Sequence, residues 1–215
     1  MEADDVIAQI IGMKKFAQWQ KVIVSSDKDF IQLLGSDNTI LFRPTQKQVL
    51  NKNAIVEQYG IHPNNFALAR AIVGDPSDNL AGVPGIGLST IAKRYASFKD
   101  EGELYLGELV EYCEAEISNK KRLKSHERII EHQDVIRDNY KIMQLHSPCI
   151  SIQGKERIAY TLDNYIPELN KTGLRTLLHK DGAGEVNLVS LYEHFNRVIS
   201  DHTSRPPWEK FFNEE

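Results

Sequence analysis

The chain has 215 residues, enough for one domain of ordinary size or one and a half, and its 41% hydrophobic content is enough for a core. Its formal net charge of −4 excludes a globally basic nucleic-acid-binding protein and leaves only a local patch for such a contact. No signal-peptide pattern and no apolar run of about 18 residues occurs, so the sequence argues against secretion and membrane insertion and predicts a cytoplasmic protein.

The first predicted element is an amphipathic helix over residues 4–17, where apolar residues recur at helical spacing. The helix begins in the motif E-A-D-D, so the acids Glu2, Asp4 and Asp5 crowd one helix mouth. Acidic residues commonly cap the N-terminus of a helix. This motif taken alone is therefore better explained by capping than by metal binding.

A short buried strand is predicted at residues 21–25, and its carboxyl end delivers Asp27 and Asp29 of the motif S-S-D-K-D into the next loop. Open α/β sheets place their functional sites at this end of a strand. A second strand is predicted at 39–42, parallel to the first. Two helices that end at glycines are predicted to follow, at 53–59 and 63–73.

The third acidic motif, G-D-P-S-D-N, carries Asp75 and Asp78 and runs directly into G-V-P-G-I-G. The stretch from Pro84 to Gly87 predicts a tight turn ahead of a helix at 88–95, which is a helix-hairpin-helix signature. Glycines let the backbone approach a phosphate closely, and the helix that follows offers its N–H groups. The alternative interpretation is an ordinary glycine-rich turn between two helices.

The three acidic motifs together predict metal-dependent chemistry on nucleic acid. Carboxylate oxygens are the hard ligands that Mg²⁺ and Mn²⁺ prefer, and two such ions about 3.5–4 Å apart stabilise both the attacking and the leaving oxygens of a phosphodiester. Capping or turn formation explains any single motif. It does not readily explain three motifs that each lie where a strand or helix ends, beside a turn suited to phosphate.

The second half predicts helices and a basic run. Residues 100–116 are acidic and predicted to be helical, and a helix from Ser190 begins a tail whose aromatic end is expected to dock on the core. The basic run between them is equally consistent with a solvated helix face and with a second strip of phosphate contacts. It comprises Lys120, Lys121, Arg122, Lys124 and Arg128.

Four residues with possible ligand chemistry receive no role from their pattern. Cys113 and Cys149 lack metal-ligand spacing and are predicted to be reduced, buried thiols rather than a disulfide. His126 and His132 lie among polar neighbours, which is typical of surface residues. No zinc site is predicted.

Three stretches of the first half resemble the 5′-nuclease family. This family comprises flap endonucleases, phage 5′-3′ exonucleases with RNase H activity, and the N-terminal nuclease domain of bacterial DNA polymerase I. The stretches are E-A-D-D-V-I-A at 2–8, V-I-V-S-S-D-K-D-F-I-Q-L-L at 22–34 and G-D-P-S-D-N-L-A-G-V-P-G-I-G-L-S-T-I-A-K at 74–93. They occur in family order, while residues after about 99 carry only loose similarity.

The resemblance implies an α/β fold in three parts. Residues 1–73 would be the remnant of a parallel-sheet, PIN-like nuclease core, and residues 74–145 would hold the helix-hairpin-helix motif in its helix-three-turn-helix form. Residues 146–215 would be a C-terminal helical extension. The turn would grip duplex DNA and could hold a K⁺ ion on its carbonyl oxygens. The DNA-binding residues implied are Gly85, Gly87, Ser89, Thr90, Lys93 and Arg94.

The resemblance also implies a two-metal site for Mg²⁺ or Mn²⁺. Asp4 would bridge, Glu2 would accompany it at the first ion, and Asp5 would support them. The second ion would take its ligands from the other two motifs: Asp27, Asp29, Asp75 and Asp78. Asp4, Asp27, Asp29 and Asp78 would be the catalytic set. Without cations, such clustered carboxylates are expected to have raised pKa values.

The implied function is a structure-specific 5′-3′ exonuclease or flap endonuclease that acts on DNA with a 5′ end or flap in replication or repair, and that could also act on RNA–DNA hybrids. Family members carry a first strand, two further aspartates and a basic helical arch before E-A-D-D, whereas Met1 abuts Glu2 in this chain. The alternative is therefore a catalytically incomplete duplex-binding fragment that needs an N-terminal half in trans. A PIN-like ribonuclease is a third reading, against which Gly85 and Gly87 argue.

Overall fold

The computed structural model describes residues 2–119 and 123–204, and for 201–204 it describes the backbone only. The chain divides into two compact units, Met1–Lys155 and Glu156–Glu215. The first unit contains all the acidic motifs and the glycine-rich turn. Within the described ranges, no helix has both the length and the apolar character needed to cross a membrane.

A three-stranded sheet forms the start of the first unit. β1 (Lys21–Val24) pairs in parallel with β2 (Thr39–Arg43), as predicted, with Val22 opposite Ile40. β3 (Gln48–Leu50) pairs antiparallel with β2. β3 was not predicted from the sequence because it has only three residues and because its turn places Lys47, rather than Gly or Asn, in the left-handed region at φ 50°.

The two faces of this sheet differ in burial. Ile23, Leu41 and Leu50 are at most 5% exposed and belong to the core. On the other face, Val22, Val24 and Val49 are 52%, 63% and 55% exposed. Alternation of this kind is normal for a sheet with one solvated face, but apolar residues are unusual on that face.

Helices supply most of the rest of the chain. In the first unit they are α1 (Ala3–Ile11), α2 (Lys52–Tyr59), α3 (Phe66–Val73), α4 (Leu88–Arg94), α5 (Leu106–Ser118), α6 (Lys124–Glu131) and α7 (Gln133–Met143). α8 (Ile152–Asn164) crosses the boundary between the units, and α9 (Lys171–Lys180) and α10 (Leu188–Ser204) lie in the second. Short 3₁₀ helices occupy Lys14–Phe16, Asp29–Leu33, Pro63–Asn65 and Ala96–Lys99.

Several helix boundaries differ from the predicted ones. α1 ends at Ile11, with Gly12 as its C-cap, instead of continuing to residue 17, and a 3₁₀ turn follows. The predicted helix at 63–73 starts with a 3₁₀ turn over Pro63–Asn65, and only α3 is α-helical. Residues 100–105 are not helical, so the acidic helix begins at Leu106. α2 ends as predicted at Gly60, whose φ of 67° suits glycine.

α3 runs through the core of the first unit. Its stretch F-A-L-A-R-A-I-V is almost wholly buried, with Ala69 and Ile72 at 0% exposure. α7 packs against it, and the buried side chain of Asn139 on α7 donates hydrogen bonds to the backbone oxygens of Ala71 (3.0 Å) and Ala81 (2.9 Å). This amide therefore fixes the end of α3 to the segment that follows it.

Two predictions about the second half are wrong. His126 is 1% exposed rather than a surface residue, and it packs beside the rings of Tyr95 and Tyr112. Cys113 is buried as predicted, but Cys149 is exposed. The basic residues at 120–122 and the aromatic tail from 205 onward lie outside the described residues.

Candidate metal centre

The motif G-D-P-S-D-N folds as a small β-hairpin. β4 (Gly74–Asp75) pairs antiparallel with β5 (Leu80–Ala81), and Asp78 lies on the loop between them. The loop is closed by the N–H of Asn79, which donates to the carbonyl oxygen of Pro76 at 3.3 Å. Asn79 itself has a φ of 58°, a conformation that Asn tolerates better than most residues.

Glycines at both ends of this hairpin allow a close backbone approach. Gly74 has a φ of 77°, and a Cβ on Gly82 would collide with the carbonyl group of Val73. The N–H of Val83 then donates to the carbonyl oxygen of Ile72 at 2.7 Å. The hairpin is therefore held directly against the end of α3, and its acids have a fixed position relative to that helix.

Three carboxylates from separate parts of the chain meet beside this hairpin. Asp29 begins the 3₁₀ helix that follows β1, whereas Asp75 and Asp78 come from the hairpin. One oxygen of each lies within 4.8 Å of the others. Such a set of hard oxygen donors suits a divalent cation such as Mg²⁺ or Mn²⁺.

Arg70 on α3 is the positive partner of these acids. Its Nη2 lies 3.2 Å from Oδ1 of Asp29, and the same nitrogen contacts Oδ2 of Asp75. The side chains of Arg70, Asp29 and Asp75 are only 15%, 21% and 13% exposed. Arg70 was missed by the sequence analysis, although a single Arg inside an apolar helix indicates a paired, partly buried charge.

The environments of Asp29 and Asp75 shift their pKa values in opposite directions. Burial raises the pKa of Asp29, with Arg70 opposing the shift and the charges of Asp27 and Asp75 adding to it. The pKa of Asp75 is lowered chiefly because its Oδ1 accepts from the hydroxyl (2.6 Å) and the N–H (2.9 Å) of Ser77, and also by Arg70. The expectation of a raised pKa is therefore confirmed for Asp29 and wrong for Asp75.

The acids of the first motif lie outside the three-carboxylate cluster, near Asp27 of the second motif. The pKa of Asp4 is raised by partial burial and then by the charges of Asp27, Glu2 and Asp5. Asp5 accepts from the N–H of Glu2 at 3.0 Å, as a residue that caps α1 does. Asp27 accepts from the N–H of Asp29 at 2.9 Å, which links the two groups of acids.

The predicted turn follows the acid hairpin directly. Gly85 has a φ of 72°, and the N–H of Ile86 donates to the carbonyl oxygen of Val83 at 3.2 Å. Gly87 caps α4, accepting from the N–H groups of Thr90 (2.9 Å) and Ile91 (3.1 Å). Ser89, Lys93 and Arg94 are exposed on α4, and Arg94 donates to Oγ of Ser125 at 2.8 Å.

Comparison of sequences relates the chain to 5′-3′ exonucleases. Residues 1–60 match the family described as 5′-3′ exonuclease, N-terminal resolvase-like domain. DNA polymerase I of Mycobacterium bovis is 37% identical over 100 residues, which are 45% of this chain and 11% of the polymerase. The 5′-3′ exonuclease of Buchnera aphidicola is 38% identical over 103 residues, 46% of this chain and 36% of the relative. The matches thus span only a minor part of each relative's length.

The fold also has a counterpart among solved structures. The flap endonuclease of bacteriophage T5, solved in a complex with DNA and metal ions, superposes with a TM-score of 0.61 at 18% identity. The match covers 75% of this chain and 58% of the phage protein. The chain is therefore similar in sequence to 5′-3′ exonucleases and to DNA polymerase I, and in fold to the phage enzyme, which confirms the resemblance to the 5′-nuclease family.

Proposed function

We propose that this chain carries metal- and DNA-binding parts of a structure-specific 5′-3′ exonuclease or flap endonuclease. The observation that supports it most is the meeting of Asp29, Asp75 and Asp78 within 4.8 Å. These residues come from two of the motifs that carry the family resemblance, and Asp29 is separated from the other two by more than forty residues of chain. The reaction would be hydrolysis of phosphodiester bonds in DNA with a 5′ end or flap, and in RNA–DNA hybrids.

The carboxylates would hold divalent cations, Mg²⁺ or Mn²⁺, which neutralise charge on the phosphate and lower the pKa of a bound water. Asp29, Asp75 and Asp78 would be ligands of one ion, and Asp4 with Glu2 and Asp27 would take part at the other. The raised pKa values of Asp4 and Asp29 agree with this, since a carboxyl group that holds a proton easily gains most from a nearby cation.

The DNA duplex would lie along the turn from Pro84 to Gly87 and the exposed side of α4. Ser89, Lys93 and Arg94 are exposed there, and the turn follows the acid hairpin with no intervening helix. The phage protein of similar fold was solved with DNA, which supports a nucleic-acid substrate for this chain. Phosphate contacts of this kind would position the duplex without reading its sequence.

The experiment is cleavage of a 5′-labelled flap duplex with Mg²⁺ or Mn²⁺ by the purified chain and by an Asp27→Ala, Asp29→Ala double variant. We expect metal-dependent cleavage that the double variant loses. A matched control is the Asp134→Ala, Asp138→Ala variant, since those acids are exposed on α7 and pair only with neighbouring cations in the described part of the chain. Equal cleavage by both variants would contradict the proposed site.

A second candidate function is a duplex-binding fragment whose activity depends on another polypeptide. The outer face of the sheet favours it, because Val22, Val24 and Val49 are all more than half exposed. A segment that added a strand to β1 and laid an apolar surface on this face would cover them. Two results together would favour this function over the first. The chain alone would bind a duplex in a salt-sensitive way without cleaving it, and it would cleave once the corresponding N-terminal segment of a related nuclease is added in trans.

A further inference from the structure

The glycine-rich turn is held by an arginine of a different helix. Arg128 on α6 donates from Nη1 to the carbonyl oxygen of Pro84 at 2.7 Å. A Cβ placed on Gly85 would lie 2.5 Å from the same nitrogen, so the guanidinium occupies the space that a side chain would need. Gly85 is thus required by its φ of 72°, whereas the tip of Arg128 would only have to move aside to admit a side chain there.

α6 contacts the turn and α4 at two separate points. Besides the bond from Arg128 to the turn, Ser125 accepts from Nη1 of Arg94 near the C-terminus of α4. The face of α6 that makes these contacts is tightly packed, because Ser125 and Ile129 are 4% and 0% exposed. Arg128 itself is additionally held through its backbone, since its carbonyl oxygen lies 2.9 Å from Nδ1 of His132.

We propose that Arg128 is the cation that occupies this turn. Its guanidinium binds the carbonyl oxygen of Pro84, in the place where a monovalent metal ion would otherwise bind. A guanidinium carries a full positive charge and five N–H donors, more than one carbonyl oxygen uses. Arg128 therefore fixes the turn and brings positive charge beside it, where a phosphate of the duplex would lie. The inference rests on the proposed function for its DNA-binding aspect but not for the conformation of the turn.

Arg128 belongs to the basic run, for which the sequence did not decide between a solvated helix face and a strip of phosphate contacts. Arg128 is half-buried and bonded to the turn, so it is not simply a solvated charge. It also changes the expectation of a K⁺ ion at the turn. With a guanidinium already on the Pro84 carbonyl, duplex binding should be the same in K⁺ and in Na⁺ at equal ionic strength.

The test measures binding of a fluorescent duplex with a 5′ flap by anisotropy, in KCl and in NaCl, without divalent ions. We expect the wild type to bind equally in both salts and Arg128→Met to bind about tenfold more weakly in NaCl, because the turn then loses both the hydrogen bond that holds it and the positive charge beside it. Arg137→Met is the matched control, since Arg137 is exposed on α7 and pairs with Asp134. Wild-type binding that requires K⁺, or unchanged binding by Arg128→Met, would overturn the proposal.

Hydrogen exchange of residues 83–91 gives a readout that does not depend on DNA. We expect the amides of Ile86 and Ile91, which donate to the carbonyl oxygens of Val83 and Gly87, to exchange faster in Arg128→Met than in the wild type in NaCl, where no K⁺ can take the vacated place. Thermal melts confirm that the variant is folded. If the wild type binds no duplex but these amides respond to Arg128, the proposed function fails while the role of Arg128 stands. If they do not respond, that role fails.

Discussion

Two consecutive glycine-containing loops of the first unit use glycine for different reasons. In the acid hairpin, Gly82 is needed because the backbone of Val73 lies where its side chain would be. In the turn that follows, a Cβ on Gly87 would meet no atom within 4 Å, and the backbone there has an ordinary φ of −114°. The first loop is closed on the protein itself, whereas the second leaves open space at the start of α4. This difference is consistent with a rigid hairpin that positions the acids, next to a turn whose surface is open to a ligand.

Alanine substitutions at these two glycines should separate the loops most clearly. Gly82→Ala is expected to lower the free energy of unfolding by about 3 kcal/mol or more, because the added methyl group cannot fit without moving the backbone. Gly87→Ala should lower it by about 1 kcal/mol or less, since only the helix cap is weakened. Urea-induced unfolding of the two variants checks both values. Similar losses would show that the contrast in packing is not real.

The same pair should show the opposite order in duplex binding. Gly87→Ala places a methyl group in the open space beside α4 and is expected to weaken binding of a flap duplex while the protein stays folded. Anisotropy measurements at a fixed salt concentration are the readout, because such affinities vary strongly with salt. Unchanged affinity in Gly87→Ala would mean that the open space does not receive the duplex.

Asn139 gives the next largest effect, because it attaches the acid hairpin to α3. Replacing it by leucine leaves the carbonyl oxygens of Ala71 and Ala81 without their buried donor. The expected loss is about 1–3 kcal/mol of unfolding free energy, because one buried and one partly buried carbonyl oxygen lose their donor. Ile142→Ala on the same helix is the control, since Ile142 is 67% exposed and should cost little. A loss no greater in Asn139→Leu than in the control would contradict the attachment.

Substitution of Arg70 tests how the electrostatics of the acid hairpin differ from those of the turn. Arg70→Met removes the partner of Asp29 and Asp75 and is expected to cost about 1–3 kcal/mol without metal, because the pairs are only partly buried. Saturating Mn²⁺ should then stabilise the variant more than the wild type, since the ion no longer competes with a guanidinium. Thermal melts with and without Mn²⁺ measure both effects. An equal Mn²⁺ response in the two proteins would exclude competition between Arg70 and the ion.

The sequence predicted the local parts of this site better than their assembly. The parallel pairing of β1 with β2 was predicted and is confirmed. It was predictable because apolar runs and strand ends are encoded within a few residues. The approach of the hairpin to Asp29 was not derivable in the same way, since it depends on the close contact of Gly82 with Val73 and on Asn139, which lies 68 residues beyond Ala71. Arg70 was missed for the same reason, and the contact of Arg128 with the glycine-rich turn was not predicted although Arg128 was named in the basic run. A single charge in a helix gives no indication of which loop it will reach.

The smallest expected effect is a pH dependence at His62, in the segment between α2 and α3. His62 is 2% exposed, and its Nδ1 accepts from the N–H of Asn64 at 3.3 Å. Burial lowers its pKa from the usual 6.5, so the unfolded chain binds the proton more readily than the folded one. The stabilising contribution of neutral His62 is therefore complete above about pH 6.5 and is lost as the pH falls through the lowered pKa of the folded state.

Urea unfolding of the wild type and of His62→Asn between pH 7.5 and 5 measures this contribution, because the asparagine oxygen can still accept from Asn64 but does not titrate. The difference in stability between the two proteins should shift in favour of the variant as the pH falls. His179→Asn, at an exposed position on α9, is the matched control substitution. If the difference between wild type and His62→Asn stays constant over this range, His62 is not held neutral by burial, and the packing between α2 and α3 must be more open to water than its exposure indicates.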